Sequence, residues 1–119
     1  MFLNKYTLIS IFIFLSTGCS PFKVADILSP YSDYELNADV SYGTLGRQKL
    51  DVYTPTKNPI SDDIIVFIYG GSWRSGEKSN YRFVAQPFAD AGFITIVPNY
   101  RLYPEVRFPE FNNDVAKAI

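Results

Sequence analysis

Residues 64–73 read Ile-Ile-Val-Phe-Ile-Tyr-Gly-Gly-Ser-Trp, an apolar run that leads into two glycines. Its leading apolar residues, 64–68, are mostly β-branched and predict a strand buried on both faces, as in parallel sheets covered by helices. Gly70 and Gly71 follow directly and allow a sharp turn that brings peptide N–H groups close to a ligand. A helical pattern comes next, and a helix start favours an anion. Strand, glycine turn and helix in this order form the layout of an oxyanion hole.

Further strands are predicted on both sides of this stretch. Residues 40–42 and 49–53 predict two short strands, joined by a turn over residues 43–46. Residues 93–97 predict another buried strand. A hairpin followed by strand, helix, strand and helix predicts the α/β class.

Two helices complete the predicted pattern. The first is expected to begin at Ser79 or Asn80, to kink or restart at Pro87 and to end at Gly92. Its buried face is expected to comprise Phe83, Val84, Phe88 and Ala91, which recur at helical spacing. The second is expected over residues 109–119, with a proline in its first turn.

Three segments resemble, in order, motifs of the esterases and lipases that have the α/β-hydrolase fold. Residues 69–73 are similar to the His-Gly-Gly-x-Trp turn of that family, and residues 50–55, Leu-Asp-Val-Tyr-Thr-Pro, are similar to its second strand. The third segment comprises Asn99-Tyr100-Arg101-Leu102, Pro104, Phe108-Pro109 and Asp114. The most similar groups are the feruloyl-esterase-like and kynurenine-formamidase-like carboxylesterases. The resemblance implies a three-layer sandwich whose sheet is mostly parallel and begins with an antiparallel N-terminal hairpin.

The resemblance also assigns roles in the glycine turn. It implies that the backbone N–H groups of Gly71 and Ser72 are oxyanion donors and that Gly70 leaves room for the ligand. An ordinary tight turn after a strand is the alternative. Tyr69 stands where the family usually has histidine; it keeps a ring and one hydrogen-bonding group but cannot take a proton near neutral pH.

Arg101 and Asp114 are expected, from their motif positions, to form a structural ion pair between the segment after a strand and the last helix. The alternative is two independent surface charges.

The 119 residues contain no histidine and no G-x-S-x-G turn. A serine hydrolase of this kind needs a serine on that turn, then an acid and a histidine. We therefore expect the chain to be the N-terminal part of a larger hydrolase, whose nucleophile strand would pair beside residues 64–68. The expected reaction is hydrolysis of a small-molecule carboxylic ester without a cofactor. The alternative is a truncated or degenerate lipoprotein with no catalytic activity.

An apolar run over residues 8–15 follows Lys5 and is shorter than the roughly 20 residues that span a bilayer as a helix. It predicts a signal peptide over residues 1–18. Cys19 follows small residues and resembles the lipidation site of a bacterial lipoprotein. We expect an exported protein anchored to a membrane of the bacterial cell envelope, with a tether over residues 19–37 and a hydrolase domain over residues 38–119. The alternatives are a plain signal peptide with an incidental cysteine, or an uncleaved anchor.

Other classes of function find little support. A net charge of −1 with mixed signs does not favour nucleic-acid binding. Residues 71–79 narrowly miss a phosphate-binding P-loop, and Glu77 would repel phosphate there. With no histidine and one cysteine, the sequence predicts no metal site.

Overall fold

The computed structural model describes residues 21–60 and 62–119, so the predicted signal peptide and Cys19 lie outside the described residues. The elements are α1 (Pro21–Ile27), β1 (Tyr34–Ser41), β2 (Lys49–Pro55), β3 (Ile64–Val66), a 3₁₀-helix (Lys78–Tyr81), α2 (Arg82–Asp90), β4 (Ile94–Pro98) and α3 (Glu110–Ala118). None of these helices is long and apolar enough to cross a membrane.

The strands form one mixed sheet in the order β1-β2-β4-β3. The β1–β2 and β2–β4 pairs are antiparallel, whereas β3 and β4 run parallel. Ile96 of β4 is paired with Val52 on one side and with Val66 on the other. The predicted α/β class and the antiparallel N-terminal hairpin are confirmed, and β3–β4 is the one parallel pair among the described strands.

The strand predicted over residues 64–68 is shorter and more exposed than expected. β3 ends at Val66, and Ile64 keeps 55% of its surface exposed. Burial on both faces was therefore a wrong prediction for these residues. The reason is that β3 lies at the edge of the described sheet and has a neighbouring strand on one side only.

The first strand begins earlier than the sequence indicated. β1 starts at Tyr34, so the predicted boundary at residue 38 falls inside a strand, and α1 occupies part of the predicted tether. Tyr34 and Leu36 are half-buried while their neighbours Glu35 and Asn37 are exposed. This alternation has the period of a strand with one covered face, which the sequence reading missed because the segment is polar.

Helix α2 packs across the sheet against β2 and β4, but through a different face from the one predicted. Its buried residues are Ala85, Gln86 and Ala89, whereas Phe83 and Phe88 are 36% and 41% exposed. Two of the three buried side chains are therefore small, and the two large phenylalanine rings lie on the partly exposed side of the helix.

The end of α2 lies where the sequence predicted it, but the predicted break in the middle of the helix is absent. Pro87 lies inside one continuous helix rather than restarting it. The N–H of Gly92 donates to Ala89 O and the N–H of Phe93 donates to Phe88 O, at 2.9 and 3.0 Å. These two bonds form a Schellman motif, which confirms the predicted stop at Gly92.

The buried core is rich in aromatic side chains and extends from the sheet into the loops that follow it. Its members are Tyr53, Tyr69, Ala85, Ala89, Val97, Tyr100 and Phe111. Tyr69 and Tyr100 lie just after the parallel strands β3 and β4. Ligands of open α/β sheets bind at the carboxyl ends of such strands, so the core leads directly to the candidate site.

Candidate active site

The loop after β3 has an unusual backbone. Gly71, Ser72 and Trp73 all have positive φ angles, 139°, 54° and 59°. For the two residues with a Cβ this conformation costs roughly 1 kcal/mol or more each. The N–H groups of Arg74 and Ser75 both donate to Gly71 O, at 3.0 and 3.2 Å, and close the turn. Strain of this kind concentrates at functional sites, where the surrounding structure maintains it.

Two backbone donors of this loop are unoccupied. Within residues 21–60 and 62–119, no acceptor pairs with the N–H of Gly71 or with the N–H of Ser72. Both residues are exposed, so the donors are open to a ligand. Adjacent unpaired N–H groups are the donors that an oxyanion requires.

A cavity of about 220 Å³ lies at this turn. Its lining residues are Tyr69, Gly70, Gly71, Ser72, Trp73 and Tyr100. The Trp73 ring stacks on Phe111 of α3 with 4.6 Å between centroids, and it meets Tyr100 edge-on at 5.2 Å. Trp73 therefore packs at the base of the loop and also forms one wall of the cavity.

Gly70 and Gly71 differ in what they require of the backbone. A Cβ added at Gly71 would lie 2.1 Å from Ser75 O, so the turn excludes every other residue there. A Cβ added at Gly70 would meet nothing within 4 Å of protein. Because Gly70 also lines the cavity, the space beside it is available to a ligand.

Tyr69, at the position of the family's histidine, is almost fully buried and fully hydrogen-bonded. Its hydroxyl donates to Asn99 Oδ1 at 2.6 Å and accepts from Arg47 Nη2 at 3.1 Å. Its ring stacks on Tyr81 and Tyr100, with centroids 5.0 and 4.9 Å away. Burial raises the pKa of Tyr69 well above its usual range, so the hydroxyl stays neutral and acts as an anchor of the loop.

Arg47 is a site residue that the sequence analysis missed. It lies in the turn between β1 and β2, and its guanidinium donates to Tyr69, to Gly76 O and to Tyr100 O. Its Nη1 also pairs with Glu77 Oε2 at 3.3 Å. The partners of Arg47 lie 22 to 53 residues away in the sequence, so no local pattern predicts these contacts.

A buried ion pair holds the far end of the loop on the hairpin. Lys78 Nζ lies 2.6 Å from Asp51 Oδ1 and 2.9 Å from Asp39 Oδ1. Burial opposes the charge of Lys78, but the hydrogen bonds to both carboxylates outweigh it and raise its pKa. A register shift in β1 lies between Asn37 and Val40, where Asp39 adopts a φ of 59°. Such bulges re-aim a side chain, here toward Lys78.

The structure brings Arg101 and Asp114 together. The Arg101 side chain donates to both carboxylate oxygens, at 2.8 and 2.7 Å, and its backbone N–H donates at 2.9 Å. Gln48 Nε2 donates a further bond at 2.9 Å. Burial opposes ionisation of Asp114, yet the bonds from Arg101 and Gln48 hold its pKa below the usual range. This pair holds α3, and with it Phe111, against the wall formed by Trp73.

The arrangement can therefore bind an oxyanion. It offers two free N–H donors beside an aromatic cavity, held in place by buried polar contacts. The predicted lipidation site at Cys19 lies outside the described residues.

Comparison with protein families and curated proteins is consistent with this geometry. The BD-FAE family model matches residues 50–119, which is more than half of the chain. Kynurenine formamidase of Salmo salar is 26% identical over 81 residues, covering 68% of this chain and 28% of that protein. A Mycobacterium tuberculosis protein named "Probable carboxylic ester hydrolase LipM" is 34% identical over 100 residues, covering 78% of this chain and 22% of that protein. The chain thus spans about a quarter of the length of these relatives.

Solved structures agree on the fold. Esterase B from Lactobacillus rhamnosis superposes with a TM-score of 0.72 at 19% identity, over 96% of this chain and 38% of that one. At this identity the likeness bears on the fold alone, and it identifies the α/β-hydrolase architecture.

Proposed function

Because this chain belongs to the BD-FAE family, an α/β-hydrolase esterase family, we propose that it supplies the oxyanion-binding half of a serine hydrolase that cleaves carboxylic esters. One observation carries the proposal. The N–H groups of Gly71 and Ser72 are adjacent, exposed and without an acceptor among the described residues, in a loop of strained backbone.

In the proposed reaction, a serine hydroxyl attacks the ester carbonyl carbon while a histidine takes its proton. The carbonyl oxygen becomes an oxyanion, which accepts hydrogen bonds from the N–H groups of Gly71 and Ser72. The alcohol leaves with a proton from the histidine, and water then hydrolyses the acyl-enzyme in the same way. The 119-residue sequence has no histidine, so the proposal requires the serine, the acid and the histidine to come from residues outside it.

The proposed substrate class rests on the names of the relatives and on the cavity. The relatives include enzymes named for formamide and for carboxylic ester cleavage. The cavity beside the turn has aromatic walls at Tyr69, Trp73 and Tyr100. Aromatic walls suit a flat or apolar acyl group next to the reacting carbonyl.

The experiment that tests the proposal uses the protein as its native gene produces it. We expect it to hydrolyse p-nitrophenyl esters of short acids, and a fluorophosphonate probe to label one serine and abolish turnover. Intact mass of the labelled protein identifies the stoichiometry. A folded product that neither turns over these esters nor takes the probe would refute the proposed activity.

A non-catalytic lipoprotein is the second candidate. Two observations favour it: Tyr69 replaces the family's histidine in the glycine turn, and the sequence contains no histidine. The same experiment separates the two candidates, because a non-catalytic protein remains inert toward both the esters and the probe.

The proposed location is the bacterial cell envelope, with the protein exported and held at a membrane by lipid on Cys19. Lipidation contributes about 0.8 kcal/mol per buried CH₂ group, so several acyl chains would anchor it stably. We expect the native N-terminus to begin at a lipid-modified Cys19 by mass spectrometry. A Cys19→Ser protein should leave the membrane fraction, whereas an unmodified native cysteine would refute the anchor.

A further inference from the structure

Arg47 reaches both ends of the loop that carries the two free N–H donors. The loop begins at Tyr69 and ends at Gly76, and Nη2 of Arg47 donates to Tyr69 Oη at 3.1 Å and to Gly76 O at 2.9 Å. We propose that Arg47 is the residue that positions this loop for oxyanion binding, acting through Tyr69 and Gly76. This inference rests on the proposed function, because it concerns how the same site is held in a working geometry.

A third contact links Arg47 to the other wall of the cavity. Its Nε donates to Tyr100 O at 2.8 Å, and the Tyr100 hydroxyl donates in turn to Tyr69 O at 2.7 Å. Tyr69 and Tyr100 both line the cavity. One guanidinium therefore fixes the segments that follow β3 and β4 relative to each other.

The two ends of the loop are in close contact, so even one added methyl group at Gly76 would push them apart. A Cβ added at Gly76 would lie 2.5 Å from the Tyr69 ring, and Gly76 has a φ of 121°. The carbonyl of Gly76 thus approaches the same guanidinium that binds the Tyr69 hydroxyl. Without that shared donor, nothing else among the described residues bonds to both Tyr69 Oη and Gly76 O.

The chemistry of these contacts requires arginine. The planar guanidinium has five N–H donors in a fixed fork, and Arg47 directs them to four different residues. Glu77 Oε2 balances its charge at 3.3 Å, and the Arg47 side chain is 26% exposed. Lysine would keep the charge but could not reach these acceptors from one nitrogen, because its ammonium is a compact point charge.

The expected effect falls on catalysis more than on substrate binding. Oxyanion donors act when charge develops on the carbonyl oxygen, so a displaced loop weakens the transition state more than the ground state. A misplacement of about 1 Å can lower the rate on the order of 100-fold. We therefore expect Arg47→Lys to lower kcat roughly 10- to 100-fold while KM changes less than about threefold.

The test compares Arg47→Lys with Arg107→Lys in the native gene product. Arg107 is the control, since it is exposed, its guanidinium lies over the Tyr103 ring at 5.7 Å from the centroid, and among the described residues it makes no hydrogen bond to the loop. A second readout is hydrogen exchange at the amides of Arg74 and Ser75, whose bonds to Gly71 O close the turn. Arg47→Lys should lower kcat and speed this exchange, and Arg107→Lys should do neither.

The inference is overturned if Arg47→Lys keeps kcat within about twofold of the parent with unchanged exchange, or if Arg107→Lys reproduces both effects. Should Arg47→Lys fail to fold, Arg47→Gln takes its place and is judged by the same two readouts. If the parent hydrolyses no ester, the proposed function fails, and exchange at Arg74 and Ser75 alone decides whether Arg47 holds the loop.

Discussion

The Tyr69 hydroxyl donates a hydrogen bond of 2.6 Å to Oδ1 of Asn99, and this bond joins the loop after β3 to the segment after β4. The same Asn99 oxygen accepts the backbone N–H of Lys78 at 2.8 Å. One amide oxygen thus links Tyr69, at the start of the loop, to Lys78, two residues beyond the end of the loop at Gly76. A neutral hydroxyl is sufficient for this role, so a tyrosine can replace the family's histidine as an anchor.

Replacing Tyr69 with phenylalanine should destabilise the protein. The change removes the bond to Asn99 and leaves Arg47 Nη2 without one of its acceptors. Losing a buried hydrogen bond of this kind costs about 1–2 kcal/mol of unfolding free energy. Urea denaturation measures it. Tyr103→Phe is the control, because Tyr103 is exposed and its hydroxyl has no hydrogen-bond partner among the described residues; equal stability of the two variants would contradict the anchor role.

Gly71→Ala should disrupt the candidate oxyanion turn. The new Cβ would lie 2.1 Å from Ser75 O at a backbone φ of 139°, so the loop must move. We expect ester turnover by the native gene product to fall on the order of 100-fold, as when an oxyanion donor is removed. Gly46→Ala is the control, since a Cβ at Gly46 meets nothing within 4 Å. Equal turnover in the two variants would mean that the turn takes no part in the reaction.

Arg101→Met should destabilise the fold by breaking the pair with Asp114. Asp114 is 1% exposed, so its carboxylate would be left buried and without its cation. The expected loss is about 3 kcal/mol, at the low end for a broken buried pair because Arg101 is partly exposed. Glu110→Gln removes the half-exposed partner of Arg101, at 3.4 Å, and should cost less than about 0.5 kcal/mol. If thermal or urea unfolding shows Arg101→Met to be as stable as the parent, the pair does not hold α3.

The same pair predicts how stability depends on pH. Arg101 and Gln48 lower the pKa of Asp114 in the folded state, although burial opposes them. The resulting stabilisation is complete above the unfolded pKa of about 4 and is lost as the pH falls through the lower folded pKa. Urea unfolding between pH 7 and pH 2 should show this loss in the parent. In Asp114→Asn, the unfolding free energy should depend less on pH over this range. If its dependence on pH is the same as in the parent, other groups cause the loss of stability in acid.

The local pattern predicted the framework well. Local sequence patterns identified a strand within residues 64–68, the glycine turn after it and the helix stop at Gly92, because each of these features depends on residues close together in the sequence. The β1–β2 hairpin was predicted for the same reason. The ion pair of Arg101 and Asp114 was predicted from their positions in a local motif. Errors arose where burial depends on distant parts of the chain. The face that α2 buries is determined by how the helix packs against β2 and β4, and the exposure of β3 by its place at the sheet edge.

The order of strands and helices from β1 to α3, the sharp turn at Gly70 and Gly71 and the resemblance to esterases were all visible in the sequence, because backbone preference and hydrophobic period are local properties. The groups that hold that turn in place became visible only in the folded structure. Arg47 lies in a distant hairpin, yet its guanidinium contacts Tyr69, Gly76 and Tyr100. Hydrogen bonds between residues far apart in sequence form only after the chain has folded, since their geometry depends on the packing of whole elements rather than on the residues nearby.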